Sequence, residues 1–351
     1  MKKMIKRIST LFLAVAVATS FAGCSKKNDS EATTAEGNKA ISKLSIGFVP
    51  SRDAEEIITA TEPLKNLLIE ELGKSGYEVG SVDITVGTSF EAVGEALAAG
   101  SLDIGFVSGG TYVQFEDETT PILTSTRAGL SKDSENAADW NDGQATVRVD
   151  DQVTYYKALF IAGPSAKGQE LAAKVNAGEE LTWDDLNSAR WAVGGTSSNA
   201  GYVYPCLYLN NVYGKSITDL ASVTPGTAYA TAAAQLAAEQ IDVMVAYADA
   251  RMDYEDAWTN EMGRSASIYE ETNVIAVTEN IYNDCIIASN SSKNVDADFI
   301  AAFQQAMKNI AQTEEGKEVI SIYSHEGYQI ASPSDYEGTK AAQELLKSLD
   351  N

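Results

Sequence analysis

Histidine is almost missing from this 351-residue chain. The one copy, His325, lies in Ser324-His325-Glu326-Gly327 near the C-terminus and reads as a surface-loop residue. With no second histidine there is no Cys–His pair and no zinc-type ligand spacing, and no nucleophile elbow occurs. Neither an enzyme, a metal site nor a cofactor is expected. Cysteine is scarce too. Cys206 and Cys285 are expected as buried free thiols, since spacing alone does not pair them. Basic residues are few, 26 against 50 acidic ones, for a net charge of −24. Such a surface argues against nucleic acid or anionic lipid as a partner. The apolar run Leu11 to Ala18 is too short to span a membrane as a mature helix.

That run belongs instead to a processing signal. Lys2, Lys3, Lys6 and Arg7 form a basic leader before it, and Phe21-Ala22-Gly23-Cys24 follows. The last four residues resemble the lipobox of bacterial lipoproteins, although Phe21 stands where Leu is usual. The resemblance implies a signal peptide over residues 1–23 and lipid attachment at Cys24; an ordinary cleaved signal with a chance cysteine is the alternative. Cleavage there removes four basic residues and no acidic ones, taking the net charge from −24 to −28. Residues 24–42, polar and without apolar pattern, read as a disordered tether. Attachment to the outer face of the plasma membrane would then come from the lipid.

Roughly 310 residues remain, too many for one small core, so two lobes are expected. Strands and helices alternate. The run Leu44 to Val49 precedes a helix from near Ala54, which Pro63 interrupts and Gly73 caps. Val82 to Val86 is the next strand. Residues 131–152 are polar and acidic and read as a surface elaboration. Strands at Ala158 to Ala162, Trp191 to Val193 and Val274 to Val277 follow, then C-terminal helices with apolar faces at Phe299, Phe303 and Met307 and at Leu345, Leu346 and Leu349. The expected fold is α/β, with each lobe a mostly parallel sheet flanked by helices. Residues 43–152 and 273–351 would form lobe one, and 153–272, inserted between them, lobe two. Two hinge crossovers, near 153–160 and 271–278, make this the two-lobed periplasmic-binding-protein architecture of type II.

A seventeen-residue pattern recurs in both lobes. Gly87-Thr88-Ser89-Phe90 leads through an alanine-rich stretch to Asp103, and Gly226-Thr227-Ala228-Tyr229 leads likewise to Asp242. Each copy places a helix N-terminus beyond a strand, where ligands bind in open α/β sheets. Thr88, Phe90, Thr227 and Tyr229 are therefore site candidates, with stapling of the helix start as the alternative for both aromatics. Asp103 and Asp242, at the opposite strand ends, read as structural. Gly194-Gly195-Thr196-Ser197-Ser198-Asn199-Ala200-Gly201-Tyr202 joins another strand to a helix. Glycines permit close backbone approach, and Ser197, Ser198 and Asn199 supply donors at the positive end of the helix. This is either an anion site without lysine or a plain N-cap. It is neither a Walker loop nor a dinucleotide fingerprint. Gly109 and Tyr112, Tyr202, and Asp249 after the strand of repeat two complete the candidates. Asp249 reads as a solvated loop acid or as the partner of a cationic ligand group. Arg52 is the one cationic residue that could reach the cleft, and pairing with nearby Asp53 or Glu56 is its equal alternative.

These motifs resemble the phosphate, phosphite and phosphonate substrate-binding proteins of ABC importers over residues 44–330. The match rests on Val49-Pro50-Ser51, the Phe90 helix with Asp103, Ser108-Gly109-Gly110-Thr111-Tyr112, and Ser197 to Tyr202. The resemblance implies a phosphorus oxyanion held by Ser197 to Asn199, assisted by Tyr112 and by Tyr229 of lobe two. It also implies that Asp249 holds the amine of an aminoalkylphosphonate. The partners it implies are a small oxyanion and a membrane-embedded permease, with the chain itself a monomer. Phe90 stands where relatives often have tyrosine, and Ala200 where serine is frequent, so two donors are missing. A sulfonate or a heteroaromatic nutrient such as a thiamine-type pyrimidine is the alternative ligand, and an enzyme on the same fold, with Asp249 as its sole acid or base candidate, is the third reading.

Overall fold

The computed structural model describes residues 39–51, 54–196 and 198–349. The signal segment, Cys24, Arg52 and Ser197 lie outside the described residues. Lys39–Ile41, expected within the tether, is instead a short strand paired in parallel with Tyr77–Val79. Ile41 is buried, and the Lys39 ammonium meets Asp296 and Asp298.

Two mixed sheets organise the chain. Across the first, the strand order is Val82–Val86, Leu44–Phe48, Ile104–Val107, Cys285–Ser289, Thr119–Leu130 and Gly327–Ile330. Arg148–Val153 pairs with the far end of Thr119–Leu130. Across the second, the order is Val223–Thr224, Trp191–Ala192, Val243–Tyr247, Ala158–Ala162 and Asn273–Val277. The first five positions of the two sheets correspond. In each, three parallel strands are followed by an antiparallel one and then by another antiparallel to that. The parallel part holds the repeats; the fourth strand runs the other way because the chain enters it from the opposite sheet.

The strands are apolar because both faces are covered. Leu44–Phe48, Ile104–Val107, Ala158–Ala162 and Cys285–Ser289 are buried throughout. Alternate residues serve separate cores: Ile286 and Ala288 pack with Phe299 and Phe303, whereas Cys285 and Ile287 pack with Val93 and Leu97. Helices Ala54–Thr61 and Leu64–Lys74 meet at Pro63, as its missing N–H dictates. The left-handed residue that ends the second of them is Gly76, not Gly73. Residues 131–147 are more than surface. Trp140 is buried in the second-sheet core, and the Asn141 amide bonds both the N–H and the C=O of Val274.

The chain passes between the sheets twice. Tyr155–Tyr156 on the way out pairs antiparallel with Ile281–Tyr282 on the way back. Asn283 N–H donates to Thr154 C=O at 2.9 Å, and Thr278 N–H to Ala158 C=O at 3.0 Å. The C-terminal helix Glu337–Leu349 touches both sides. Its Gln343 amide donates to Gly110 C=O, and its Thr339 hydroxyl bonds Tyr204.

Asp103 and Asp242 act alike. Asp103 Oδ2 accepts from Ser45 N–H at 2.7 Å, while its own N–H donates to Ser45 C=O. Asp242 Oδ2 accepts from Arg190 N–H at 2.7 Å, and its N–H donates to Arg190 C=O. Ser292 and Asn294 complete the first carboxylate, Ser165 and the Arg190 guanidinium the second. These bonds tie the start of one central strand to the turn leading into its neighbour. Asp103→Ala and Asp242→Ala should each destabilise the fold by about 3 kcal/mol, because each orphans buried donors. Urea unfolding measures this, and a loss below about 0.5 kcal/mol in either would contradict the assignment.

Candidate functional site

A cavity of about 540 Å³ opens where the ends of the two sheets face the crossover. The first sheet contributes Ser125, Thr126 and Arg127, and the segment 321–326 adds Tyr323, His325 and Glu326. The crossover contributes Tyr156, Tyr282, Asn283 and Asp284, and the second sheet Asn199, Tyr247, Asp249 and Asp253. Arg148 completes the lining.

The glycine-rich loop enters this wall through a π turn, Asn199–Val203, that runs on into the helix Tyr204–Tyr213. Ser198 caps the turn, its Oγ accepting from Gly201 N–H at 3.1 Å. The same Oγ lies 2.9 Å from the Tyr229 hydroxyl. Tyr229 in turn packs edge-on against Tyr247, with ring centroids 5.0 Å apart. Asn199 begins the turn on the cavity lining, where first-turn N–H groups have no partner within the helix. Burial raises the Tyr229 pKa, so its phenol remains a neutral donor.

Opposite these donors is a charged group that the sequence did not reveal. Arg127 sits on Thr119–Leu130 and Arg148 begins the strand paired beside it. Their guanidinium nitrogens lie 2.6 and 3.1 Å from the two carboxylate oxygens of Asp249. Asp249 is 1% exposed, which corrects the expectation of a solvated loop acid. The contacts are ion pairs without the alignment of hydrogen bonds. Tyr247 donates its hydroxyl to Asp253 at 2.7 Å. Asp284, between the crossover and the strand Cys285–Ser289, has its carboxyl pushed up to about 6 by desolvation.

Other expected site residues fall elsewhere. Tyr112 is buried in the first-sheet core, edge-on to Tyr336 at 5.1 Å, and half-buried Phe90 packs against the same cluster. A Cβ on Gly109 would lie 2.9 Å from the Tyr336 ring, so this glycine serves packing. Thr88 is exposed, and Ser89 caps its helix through Ala92 N–H. Tyr202 is buried beneath the second sheet, and the Thr227 hydroxyl donates to Thr224 C=O. None of these six lines the cavity, and neither do Ser198 and Tyr229, which adjoin the lining residues Asn199 and Tyr247. Cys206 and Cys285 are buried free thiols. His325 is 7% exposed rather than on a surface loop, enclosed by Tyr323 and Tyr328, with Nδ1 3.1 Å from the Tyr328 hydroxyl.

Residues 46–336 match the profile of a family described as ABC transporter, phosphonate, periplasmic substrate-binding protein. The chain belongs to this family of extracytoplasmic transport binding proteins, which are not enzymes and which deliver a small ligand to a permease. Among solved structures, the chain is similar to Mh-p37 of Mycoplasma hyorhinis, described as a proposed thiamine pyrophosphate transporter. The two share 13% identity over 88% of this chain and 99% of that one, with a TM-score of 0.60. It is also similar to a Xanthomonas citri protein solved bound to ATP, at 12% identity over 88% and 99% of the chains and a TM-score of 0.56. These likenesses bear out the two-lobed α/β fold of type II binding proteins. No curated protein matches the chain.

Burial holds the His325 imidazole neutral, with its pKa lowered to about 3 from an ordinary 6.5. The unfolded chain therefore binds one more proton between these values, and stability falls as the pH drops from 6.5 towards 3. Urea unfolding of the wild type and of His325→Gln at about pH 7 and about pH 5 checks this. The wild type should lose more stability than the variant; equal losses would contradict the buried neutral state.

Proposed function

We propose that this chain is the lipid-anchored solute-binding component of an ABC importer and captures a phosphonate, phosphite or related phosphorus oxyanion in the cleft between its lobes. In this reading residues 43–152 and 273–351 form one lobe, 153–272 the other, and the paired crossover Tyr155–Tyr156 and Ile281–Tyr282 the hinge. The observation that carries it is the Ser198 hydroxyl, held at the start of a helical turn, 2.9 Å from the Tyr229 hydroxyl and next in sequence to Asn199 on the cavity lining. Neutral hydroxyls and N–H groups at a helix start suit an oxyanion, and the family supplies the phosphonate class. Ser197, adjacent in sequence, belongs to the same proposed donor set. In this reading the anchor is the lipid on Cys24; no described helix is long and apolar enough to cross a membrane.

A second reading has its own support. Tyr156, Tyr247, Tyr282 and Tyr323 line a cavity of about 540 Å³, far more than a phosphite fills, and two arginines stand beside them. A larger aromatic phosphate ester or a heteroaromatic nutrient fits this lining, as the likeness to the proposed thiamine pyrophosphate transporter suggests.

A thermal-shift panel separates the readings. Its members are phosphite, phosphate, methylphosphonate, 2-aminoethylphosphonate, an alkylsulfonate, and thiamine with its pyrophosphate. A phosphorus oxyanion at about 100 times its Kd should stabilise the chain by about 2.7 kcal/mol. Shifts from only the sulfonate or only the thiamine compounds would overturn the leading reading. Replacing Ser198 and Asn199 together by Ala should weaken oxyanion binding by at least about tenfold per lost charge-assisted bond. Retained affinity in a folded double variant would move the site elsewhere.

A further inference from the structure

The charges on the cavity lining do not match a simple anion. Two arginines, Arg127 and Arg148, face four carboxylates, those of Asp249, Asp253, Asp284 and Glu326. Three of the four are engaged. Asp249 lies between both guanidiniums, Asp253 accepts the Tyr247 hydroxyl at 2.7 Å, and Glu326 accepts the Gln152 amide at 2.9 Å. The carboxyl of half-buried Asp284 makes no hydrogen bond or ion pair among the described residues, and desolvation raises its pKa. Its position is built. The Asp284 C=O accepts from Ser125 N–H at 2.9 Å, and the next residue, Cys285, pairs with Val107 and with Thr124. The carboxyl is thus fixed at the crossover between a sheet strand and the hinge ribbon. A second polar atom on the same lining is also without a partner: Nε2 of His325, a side chain more than nine-tenths buried.

A desolvated, unpaired carboxyl on the wall of an open cavity calls for a cation to complete it. Asp249 does not fill that role, because its charge is already spent on two arginines. We propose that Asp284 receives a cationic group on the ligand, an ammonium or a protonated ring nitrogen, while the oxyanion of the same ligand meets Ser198 and Asn199. The inference rests on the reading of this cleft as the ligand site. It makes the ligand a zwitterion and transfers the selection of its positive end from Asp249 to Asp284. Asp249 instead fixes the arginines against the lining. A matched cation is also what admits an anionic ligand to a cleft with a net negative lining.

Titration calorimetry on the full chain with two matched pairs tests this: methylphosphonate against 2-aminoethylphosphonate, and methanesulfonate against taurine. The wild type should bind the amine-bearing member of at least one pair about tenfold or more tightly than its amine-free partner. Asp284→Asn keeps the shape of the side chain and removes a desolvated charge, so the variant should melt no lower than the wild type. It should bring the amine preference to within about twofold of unity while leaving affinity for the amine-free member no weaker than in the wild type. Asp249→Asn should weaken both members together. If the wild type shows no preference for the amine in either pair, or if Asp284→Asn keeps the wild-type preference, the proposal is overturned. A taurine preference without phosphonate binding would refute the phosphorus reading and retain the role of Asp284.

Discussion

Each sheet depends on one buried carboxylate. Asp103 and Asp242 occupy the same place in the two repeats, and each locks a helix-to-strand turn to the start of a neighbouring strand by accepting one residue's N–H on its carboxylate and donating its own N–H to that residue's C=O. The consequence is felt at the other end of the strands. Once two parallel strands are tied at their starts, their carboxyl ends and the loops leaving them are fixed in register. The glycine-rich loop leaves one of these strands, and the approach to the Tyr229 helix is held directly, Gly226 N–H donating to Gly194 C=O and Thr227 N–H to Val193 C=O. A buried carboxylate is costly unless it is hydrogen-bonded, and both aspartates meet that requirement with backbone N–H groups and side chains that converge from two other segments.

The repeats nevertheless diverge at the ends that matter for binding. In the first lobe Ser89 spends its hydroxyl on capping its own helix, and Phe90 packs into a cluster with Tyr112 and Tyr336. In the second, Ala228 offers no side-chain cap, and Tyr229 points its hydroxyl at Ser198. The neutral donors proposed for the oxyanion therefore come from the second lobe. The first lobe and its extension bring charge, namely Arg127, Arg148 and Glu326. In the proposed function an asymmetric clamp of this kind would divide the work, one side supplying directed hydrogen bonds and the other the electrostatic walls.

Much of the fold was readable in the sequence because it is local or periodic. The apolar runs, the repeated Gly-Thr-x-aromatic helix starts and the paired aspartates announce strands, helices and duplication without any long-range information. The Ser198 cap was readable for the same reason. The arginine pair was not. Arg127 and Arg148 are 21 positions apart and meet only through antiparallel pairing across an insertion, with a register shift between Ala128 and Leu130. No pattern of residue types announces such a pairing. Burial of His325 likewise depends on two tyrosine rings, and a polar tetrapeptide conceals it. Tyr112 misled in the opposite sense. Its place after a strand suggests a ligand contact, but the C-terminal segment returns to cover it with Tyr336.

The crossover joins these parts. Tyr155–Tyr156 and Ile281–Tyr282 form the only paired strands between the two sheets among the described residues, and Tyr156, Tyr282 and Asp284 face the cavity from that ribbon. In the proposed function a ligand seated there would touch both lobes and the ribbon between them, and so would favour a closed state. The most direct measurement is a crystal structure of the chain grown with methylphosphonate, in which the phosphorus is located. The account predicts phosphonyl oxygens within hydrogen-bonding distance of Ser198 Oγ, the Asn199 N–H and the Tyr229 hydroxyl. Phosphorus bound instead against Arg127 and Arg148, with Ser198 and Tyr229 still joined only to each other, would contradict it.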